Sequence, residues 1–337
     1  MKHGGNKNEA ARAYGIEPAE MIDLSTGISP RPYPLSLSQL DLSDLIELPQ
    51  EDKAASLKNI MRKAWSVPDS AEIALASGSG ALISLIPHIH KGDMRQVYCP
   101  EPAYSEHPMA WQRAGFRMIP YEAGTIPEID LNKTAAIIAV QPGNPMGHCA
   151  SPDAWLELME KAAAHNVMII MDEAFIDLMP EQSLVPYLGR KGLIVIRSFG
   201  KFYGLAGVRL GAAIGHPDDI TALEDLLGPW PVSAMAVQFA AEAMSDHGWA
   251  DDQRDWCATQ MASLKKELMA RGITIIGGAD LYVLIEIEDA KTLQDKLARA
   301  GFWTRIFEHY PNWMRLGLAR DDAATTRFLK ALDKALD

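Results

Sequence analysis

A serine, a lysine and an arginine share one short glycine-rich segment, residues 198–211. Ser198 lies three residues before Lys201, and Arg209 lies eight residues after it. A lysine amine that condenses with an aldehyde must be held close to the backbone and away from bulk water. A phosphate group needs a nearby hydroxyl and a fixed cation. The spacing therefore indicates attachment of an aldehyde that also carries a phosphate, and a surface turn with incidental charges is the alternative.

This segment, Ser198-Phe-Gly-Lys201-Phe-Tyr-Gly-Leu-Ala-Gly-Val-Arg209, resembles the Schiff-base lysine motif of fold type I pyridoxal 5′-phosphate (PLP) enzymes, the aminotransferase class I/II group. The resemblance implies PLP as the cofactor and Lys201 as the residue that carries it. Ser198 and Arg209 would bind the cofactor phosphate. The implied fold is a large domain with a mostly parallel central sheet and a smaller α+β domain.

The elements that must position these residues alternate between short apolar strands and amphipathic helices from about residue 70 to 215. Strands are predicted at residues 72–76, 96–99, 136–140, 167–171, 193–197 and 208–214, and helices at 79–90, 103–114 and 151–165. Short apolar strands separated by helices favour a mostly parallel sheet that is buried on both faces. We therefore predict an α/β large domain over residues 36–215.

The character of the chain changes after residue 215. Long helical segments are predicted at 220–227, 232–247 and 253–271, and strands at 281–287, 302–307 and 313–318 with helices at 290–300 and at the end of the chain. Pro30, Pro32 and Pro34 predict an extended arm near the start. Residues 1–35 and 216–337 are therefore predicted to form a smaller α+β domain.

Polar residues follow several predicted strands of the large domain. In open α/β sheets, ligands bind outside the carboxyl ends of the strands. The residues at such ends are Ser79, Gly80, Asn144, Asp172, Ser198 and Lys201. Each is weak evidence alone, because Asn-Pro turns and acidic residues at strand ends are common. Their convergence on one edge of the sheet favours a single cofactor site.

The needs of PLP suggest a role for each of these residues. Its pyridine nitrogen must stay protonated, which requires a buried carboxylate, and Asp172 is predicted for this role with Glu173 as the alternative. The amide of Asn144 suits the ring oxygen as a neutral donor. The backbone N–H groups of Ser79 and Gly80, at the start of helix 79–90, would bind the phosphate together with Ser198 and Arg209.

Three further residues are predicted to contact the ring or the substrate. Tyr104 would cover the open face of the PLP ring, and a position in the core is the alternative. Arg315 places a cation inside the apolar run 313–318, where the resemblance expects the arginine that binds the substrate carboxylate, and an internal salt bridge is the alternative. Arg305 lies on the neighbouring predicted strand, with a surface charge as the alternative. Two arginines would suit a substrate with two anionic groups, because each can bind an oxyanion through two hydrogen bonds.

The N-terminal segment narrows the resemblance to one branch of the family. His3-Gly-Gly-Asn6 and residues 23–30, Asp-Leu-Ser-Thr-Gly-Ile-Ser-Pro, are similar to cobalamin-pathway relatives of histidinol-phosphate aminotransferase: the threonine-phosphate decarboxylases, especially the CobC-type branch. The resemblance implies an arm in which His3 closes over the phosphate of a phosphorylated amino-acid substrate, and a flexible terminal residue is the alternative. It also implies a homodimer and decarboxylation of L-threonine O-3-phosphate.

Two positions depart from the aminotransferase relatives. Phe175 stands where those enzymes commonly carry a tyrosine that donates to the PLP oxyanion, and Leu48 stands where they often carry a tyrosine before Pro49. Both fit a drift away from transamination. The alternatives are an aminotransferase of the histidinol-phosphate type and a PLP-binding regulatory module without turnover. The regulatory module is disfavoured, because no segment is long and basic enough for a DNA-binding domain.

Composition limits the partners and the location. A net charge of −12 makes nucleic acid and anionic membranes poor partners. The three cysteines show no metal-binding spacing, and no metal is expected. The polar N-terminus does not resemble a signal peptide, and no apolar run approaches the length of a membrane span. The cytoplasm is the expected location.

Overall fold

The chain forms two compact units in the computed structural model, which describes residues 4–36 and 42–337. The small unit consists of the described residues up to Pro32 together with Asp252–Asp337. The large unit consists of the described residues within Tyr33–Asp251. The sequence-based domains divide the chain at residues 35 and 215 instead, and their assignment of residues 216–251 to the smaller domain stays a prediction.

Helices and strands are numbered in chain order along the described residues. The helices are α1 (Lys7–Tyr14), α2 (Glu51–Ala64), α3 (Ser79–Leu85), α4 (Glu106–Arg113), α5 (Pro152–Ala164), α6 (Phe199–Phe202), α7 (Pro217–Leu227), α8 (Ala234–Ser245), α9 (His247–Ala270), α10 (Ala290–Arg299) and α11 (Asp322–Leu336). The strands are β1 (Ile22–Asp23), β2 (Glu72–Ala76), β3 (Gln96–Glu101), β4 (Arg117–Glu122), β5 (Thr134–Val140), β6 (Met168–Asp172), β7 (Leu193–Ser198), β8 (Gly211–Gly215), β9 (Thr274–Ala279), β10 (Tyr282–Glu286), β11 (Phe302–Trp303), β12 (Arg305–Phe307) and β13 (Tyr310–Gly317).

The large unit is built on a seven-stranded sheet of described strands in the order β2-β8-β7-β6-β5-β3-β4. β8 is antiparallel to both of its neighbours, and the pairs from β7 to β4 are parallel. The predicted α/β class with a mostly parallel central sheet is confirmed. The carboxyl ends of β5, β6 and β7 therefore meet at one edge, where the candidate residues follow them.

The central strands are buried because they are almost wholly apolar. Every residue of β6 and β7 is buried, and only the last residue of β5 is partly exposed. Ile138, Ile170 and Ile194 contribute to one core cluster with side chains of the helices that cover the sheet. β-branched side chains pack well on a pleated surface. The result is a rigid platform whose edge carries the polar residues.

Several element boundaries differ from the predictions for local physical reasons. The predicted strand 208–214 begins only at Gly211, because Arg209 adopts a left-handed conformation with φ of 57°. The predicted helix 79–90 ends at Leu85 and continues as the 3-10 helix Ile86–Ile89, which contains Pro87. The prediction of an extended arm near the start of the chain is wrong in part, because the helix α1 forms there.

One strand of the central sheet was missed. β4 carries Arg117 and a proline, Pro120, and its side chains are at most partly buried. A proline is tolerated there because β4 is an edge strand that pairs only with β3. Weak apolar patterning and an internal proline are the reasons why the sequence did not predict it.

The small unit contains an antiparallel sheet in the order β12-β13-β10-β9 and a parallel pair, β1 with β11. The predicted strand 302–307 divides into β11 and β12, which belong to different sheets. Asp289 and Asp321 cap α10 and α11 by accepting backbone N–H groups of the first turn. In the described residues, no helix combines the length and apolar character needed to cross a membrane.

Candidate functional site

Asp172 and Ser198 lie at the carboxyl ends of two adjacent strands. Asp172 pairs with Val140 on β5 and with Ile196 on β7. Ser198 lies two residues beyond Ile196, so its side chain lies on the same face of the sheet as that of Asp172. Both are buried, with exposed fractions of 4% and 8%. The sheet register therefore brings these two predicted residues to one edge and one face.

The carboxylate of Asp172 has a donor on each oxygen. His107 Nε2 donates to Oδ2 over 2.8 Å, and the backbone N–H of Ala174 donates to Oδ1 over 2.9 Å. His107 lies on α4 and is 1% exposed. These bonds hold the acidic side chain in one orientation. Sequence reasoning did not assign His107 to the site, although the predicted helix 103–114 contains it three residues after Tyr104, the spacing of neighbours on a helix surface.

Glu173, the alternative to Asp172, faces the other side of the sheet. Its Oε1 accepts the N–H of Leu184 over 2.6 Å, and its Oε2 accepts the hydroxyl of Ser183 over 2.7 Å. Arg197 NH1 lies 3.4 Å from the same oxygen, and Arg197 also pairs with Asp177. Burial raises the pKa of the Glu173 carboxyl, and Arg197 opposes this rise. Glu173 is thus committed to a buried ion-pair cluster under the strand ends.

Lys201 lies beside an aromatic side chain. It lies on α6, where Phe199 and Phe202 on either side of it are buried. Lys201 Nζ lies 5.6 Å from the ring centroid of Phe175. A Cβ on Gly200 would lie 2.6 Å from the Cα of Ala206, so only glycine permits this close approach of backbone. The amine therefore lies beside the apolar ring of Phe175, and the role of Lys201 in carrying the cofactor stays a prediction.

Arg209 and Gly78 form a cradle at the start of α3. Gly78 has a φ of 87°, and a Cβ there would lie inside the guanidinium of Arg209, 2.8 Å from its Cζ. Arg209 NH1 donates to the carbonyl of Ala206 over 3.1 Å, which orients the cation. A Cβ on Gly211 would collide with the backbone of Gly78 and Ser79, so β8 runs directly beside the start of α3.

Ser198 also lies near the start of α3, because it pairs with Gly211. The structure therefore brings Ser79, Gly80, Ser198 and Arg209 around one edge. Gly80 and Arg209 are exposed, and Ser79 is half-buried. The edge combines backbone N–H groups, a hydroxyl and a cation, the groups that bind phosphate.

Asn144 lies in a tight turn after β5. The backbone N–H of Gln141 donates to the carbonyl of Asp172 over 2.9 Å, and Gly143 N donates to the carbonyl of His148 over 2.7 Å. These bonds fix the turn beside the end of β6. Asn144 is half-buried there.

Tyr104 lies two residues before the start of α4. It is half-buried, packs on the apolar cluster of the large unit, and lies 6.3 Å from the ring of His107 in a perpendicular arrangement. His107 in turn donates to Asp172. Tyr104 therefore has both a core contact and a place near the acidic residue.

Arg305 and Arg315 face each other in the small unit. They are directly paired residues of β12 and β13, so their side chains lie on one face of that sheet. Arg315 is 7% exposed, and its NH2 donates to the carbonyl of Ser25 over 2.6 Å. Burial lowers the pKa of Arg315 to about 10, and the charge of Arg305 acts in the same direction. Arg315 therefore stays a cation at neutral pH. The third residue predicted to bind the substrate, His3, lies outside the described residues.

The model of the family "Aminotransferase class I and II" matches residues 43–332. The chain belongs to this family. Threonine-phosphate decarboxylase of Pseudomonas aeruginosa is 36% identical over 337 residues, covering 98% of this chain and 97% of that protein. Histidinol-phosphate aminotransferase 2 of the same species is 27% identical, covering 98% of this chain and 93% of that protein. The predicted family resemblance is confirmed.

A solved structure agrees with the fold type I architecture. Histidinol-phosphate aminotransferase from Sinorhizobium meliloti, in complex with PLP, aligns with a TM-score of 0.82 and 19% identity, covering 98% of this chain and 94% of that one. This class I and II enzyme is PLP-dependent. The residues present fit that cofactor, because the missing side chain at Gly78 lets the Arg209 guanidinium lie against the start of α3 and Asp172 supplies a buried, oriented carboxylate.

Proposed function

We propose that this enzyme decarboxylates L-threonine O-3-phosphate to (R)-1-aminopropan-2-ol phosphate and carbon dioxide, a reaction of cobalamin biosynthesis. The observation that carries the proposal is the direct cross-strand pairing of Arg305 with Arg315. Paired residues project from the same face of the sheet, so the two guanidinium groups can bind two anionic groups of one molecule. The substrate has two anionic groups, a carboxylate and a phosphate. The 36% identity to a threonine-phosphate decarboxylase supports the same reading.

Each residue at the edge of the large sheet has a proposed part in holding the cofactor. When bound, PLP supplies an electron sink for the bond that breaks at the substrate Cα. Lys201 Nζ is the amine that attaches it, and Asp172 keeps the ring nitrogen protonated. Asn144 donates to the ring oxygen, and Tyr104 covers the ring. Phosphate is held by the group already described at the start of α3: Ser79, Gly80, Ser198 and Arg209.

Arg305 and Arg315 select the bond that breaks. By binding the carboxylate and the phosphate, they fix the rotation about the substrate Cα. With PLP bound, the carboxylate bond would have to be aligned for its electrons to pass to the cofactor, and the two arginines would hold the substrate in that orientation. The bond from Cα to the carboxylate breaks, carbon dioxide leaves, and a proton takes its place. Lys201 or a water molecule supplies that proton.

His3 and a second subunit are the remaining parts of the proposal. We propose that His3 closes over the substrate phosphate and that the enzyme acts as a cytoplasmic homodimer. Both ideas rest on the resemblance of the N-terminal segment and of the fold. Light scattering at the concentration of the assay tests the dimer, and a fully active monomer would refute it.

Product analysis tests the reaction. PLP-loaded enzyme is incubated with L-threonine O-3-phosphate without any keto acid, and carbon dioxide and aminopropanol phosphate are measured. The proposal predicts the two products in equal amounts. Arg305→Met and Arg315→Met should each abolish most of this turnover. Arg299→Met is the matched control, because Arg299 is an exposed arginine of the same unit that pairs with Asp295.

An aminotransferase of the histidinol-phosphate type is the second candidate. The 27% identity to a histidinol-phosphate aminotransferase over nearly the whole chain favours it. In this case the Cα–H bond would be perpendicular to the ring, and Lys201 would move the proton. Turnover of histidinol phosphate that requires 2-oxoglutarate, with no carbon dioxide from threonine phosphate, would support this candidate and refute the decarboxylase.

A further inference from the structure

Ser25 is a buried junction of three segments of the small unit. It has no exposed surface. Its backbone N–H and its hydroxyl both donate to Asp23 Oδ1, over 2.8 and 2.6 Å. Its Oγ accepts the backbone N–H of Gly5 over 2.8 Å, and its carbonyl accepts Arg315 NH2 over 2.6 Å. The residue therefore joins the start of the described chain to Arg315 on β13, the arginine proposed to bind the substrate.

The fit around this junction is close. A Cβ on Gly4 would lie 2.6 Å from the Ser25 carbonyl oxygen and 2.9 Å from its Oγ, so only glycine allows the terminal segment to lie there. On the other side, the N–H of Gly317 donates to the carbonyl of Leu24 over 2.8 Å. Gly317 follows Arg315 by two residues on the same strand. The carbonyl that receives the guanidinium is thus fixed from both directions.

We infer that Ser25 is a positioning residue that orients Arg315 for the anionic substrate and couples that orientation to the Gly4–Gly5 segment. The inference rests on the proposed function. One N–H of the guanidinium is committed to a fixed carbonyl, which restricts the plane in which the others point. An arginine that is already ordered loses less freedom when it binds an oxyanion. The carboxylate of Asp23 fixes Ser25 and also favours the charged form of Arg315.

Ser29 provides a matched control in the same segment. It is also buried, at 3% exposed, and its hydroxyl also bonds to backbone, through the N–H and carbonyl of Arg31. It accepts the side-chain amide of Gln253 over 2.6 Å. Removal of either hydroxyl therefore costs comparable hydrogen bonds, but of the two serines it is Ser25 that bonds to Gly5 and Arg315.

The experiment compares Ser25→Ala, Gly4→Ala and Ser29→Ala as PLP-loaded enzymes. Steady-state kinetics with L-threonine O-3-phosphate give kcat and KM, absorbance of the bound cofactor gives the Kd of the same compound, and thermal unfolding gives stability. Ser25→Ala keeps the carbonyl that accepts Arg315 but loses the hydroxyl bonds to Asp23 and Gly5 that fix it, so KM and Kd should rise about tenfold with kcat changed less than about twofold. Gly4→Ala should shift both constants in the same direction. Ser29→Ala should lower the unfolding temperature comparably and leave KM and Kd unchanged.

The outcomes separate this inference from the reaction. Unchanged KM and Kd in both Ser25→Ala and Gly4→Ala, or an equal rise in Ser29→Ala, would overturn the role of Ser25 and leave the decarboxylase intact. Absence of carbon dioxide from the unmodified enzyme would refute the reaction. In that case the Kd values alone would test the role of Ser25. The role stands if binding weakens in Ser25→Ala and Gly4→Ala but not in Ser29→Ala.

Discussion

Replacing Gly78 by alanine tests whether Arg209 binds the cofactor phosphate from the place it occupies beside α3. The added Cβ would fall inside the guanidinium, 2.8 Å from Cζ. Arg209 is a long and exposed side chain, so it can swing away from the cradle rather than disrupt the sheet. The substitution therefore removes the cation from the phosphate site without deleting it from the protein.

The expected magnitudes differ for stability and for cofactor binding. An alanine held at the φ of 87° that Gly78 adopts costs about 1–2 kcal/mol of folding free energy. Loss of hydrogen bonds from a charged donor costs about 1.5–3 kcal/mol of binding free energy. Because 1.4 kcal/mol corresponds to about a tenfold change, the Kd for PLP should rise by about 10- to 150-fold.

Reconstitution of the cofactor-free enzyme with PLP, followed by absorbance, measures the Kd, and thermal unfolding of the cofactor-free protein measures the folding cost. Gly207→Ala is the control, because Gly207 is two residues from Arg209 and no atom lies within 4 Å of a Cβ built there. Its Kd should stay the same. An unchanged Kd in Gly78→Ala, or an equal rise in the control, would refute the assignment of Arg209 to the phosphate.

Three further predictions concern single side chains. His107→Phe should lower the free energy of unfolding by about 1–3 kcal/mol, because Asp172 Oδ2 loses its buried donor; an unchanged midpoint in chemical denaturation would contradict this. Phe175→Tyr should raise 2-oxoglutarate-dependent turnover relative to carbon dioxide release, because the phenol adds a hydrogen-bond donor near Lys201 Nζ. A ratio of glutamate to carbon dioxide that is the same in the variant and the unmodified enzyme would argue against it. Burial raises the pKa of the Cys149 thiol to about 11, so the thiol should stay protonated and resist alkylation at about pH 8. Mass spectrometry of the folded protein checks this, and complete modification within minutes would disprove it.

Local pattern was sufficient for most of the central sheet. β5, β6 and β7 are apolar runs bounded by polar turns, and their carboxyl ends were predicted to carry Asn144, Asp172 and Ser198. The same reasoning missed β4, whose pattern is mixed because it lies at an edge. It also extended the strand of residues 208–214 over Arg209, since a left-handed conformation at an arginine leaves no trace in hydrophobic periodicity.

Contacts between distant segments could not be predicted in this way. The partner of Asp172 is His107, which lies 65 residues away in the chain, and Glu173 is committed to Arg197 and Ser183. Which of two successive acidic residues faces the site depends on the register of three strands, and one residue of slip would exchange them. No pattern within a single strand contains that register.

The sequence by itself determined the class of fold, the family and the types of residue available for chemistry, because periodicity and the lysine motif are local properties of the chain. Only the tertiary structure decided that Arg305 and Arg315 face each other, that Arg209 lies against Gly78, and that Ser25 joins Gly5 to Arg315. Each of these depends on which distant segments pack together. Packing is set by the simultaneous burial of many apolar side chains, a property of the whole folded chain and of no single segment.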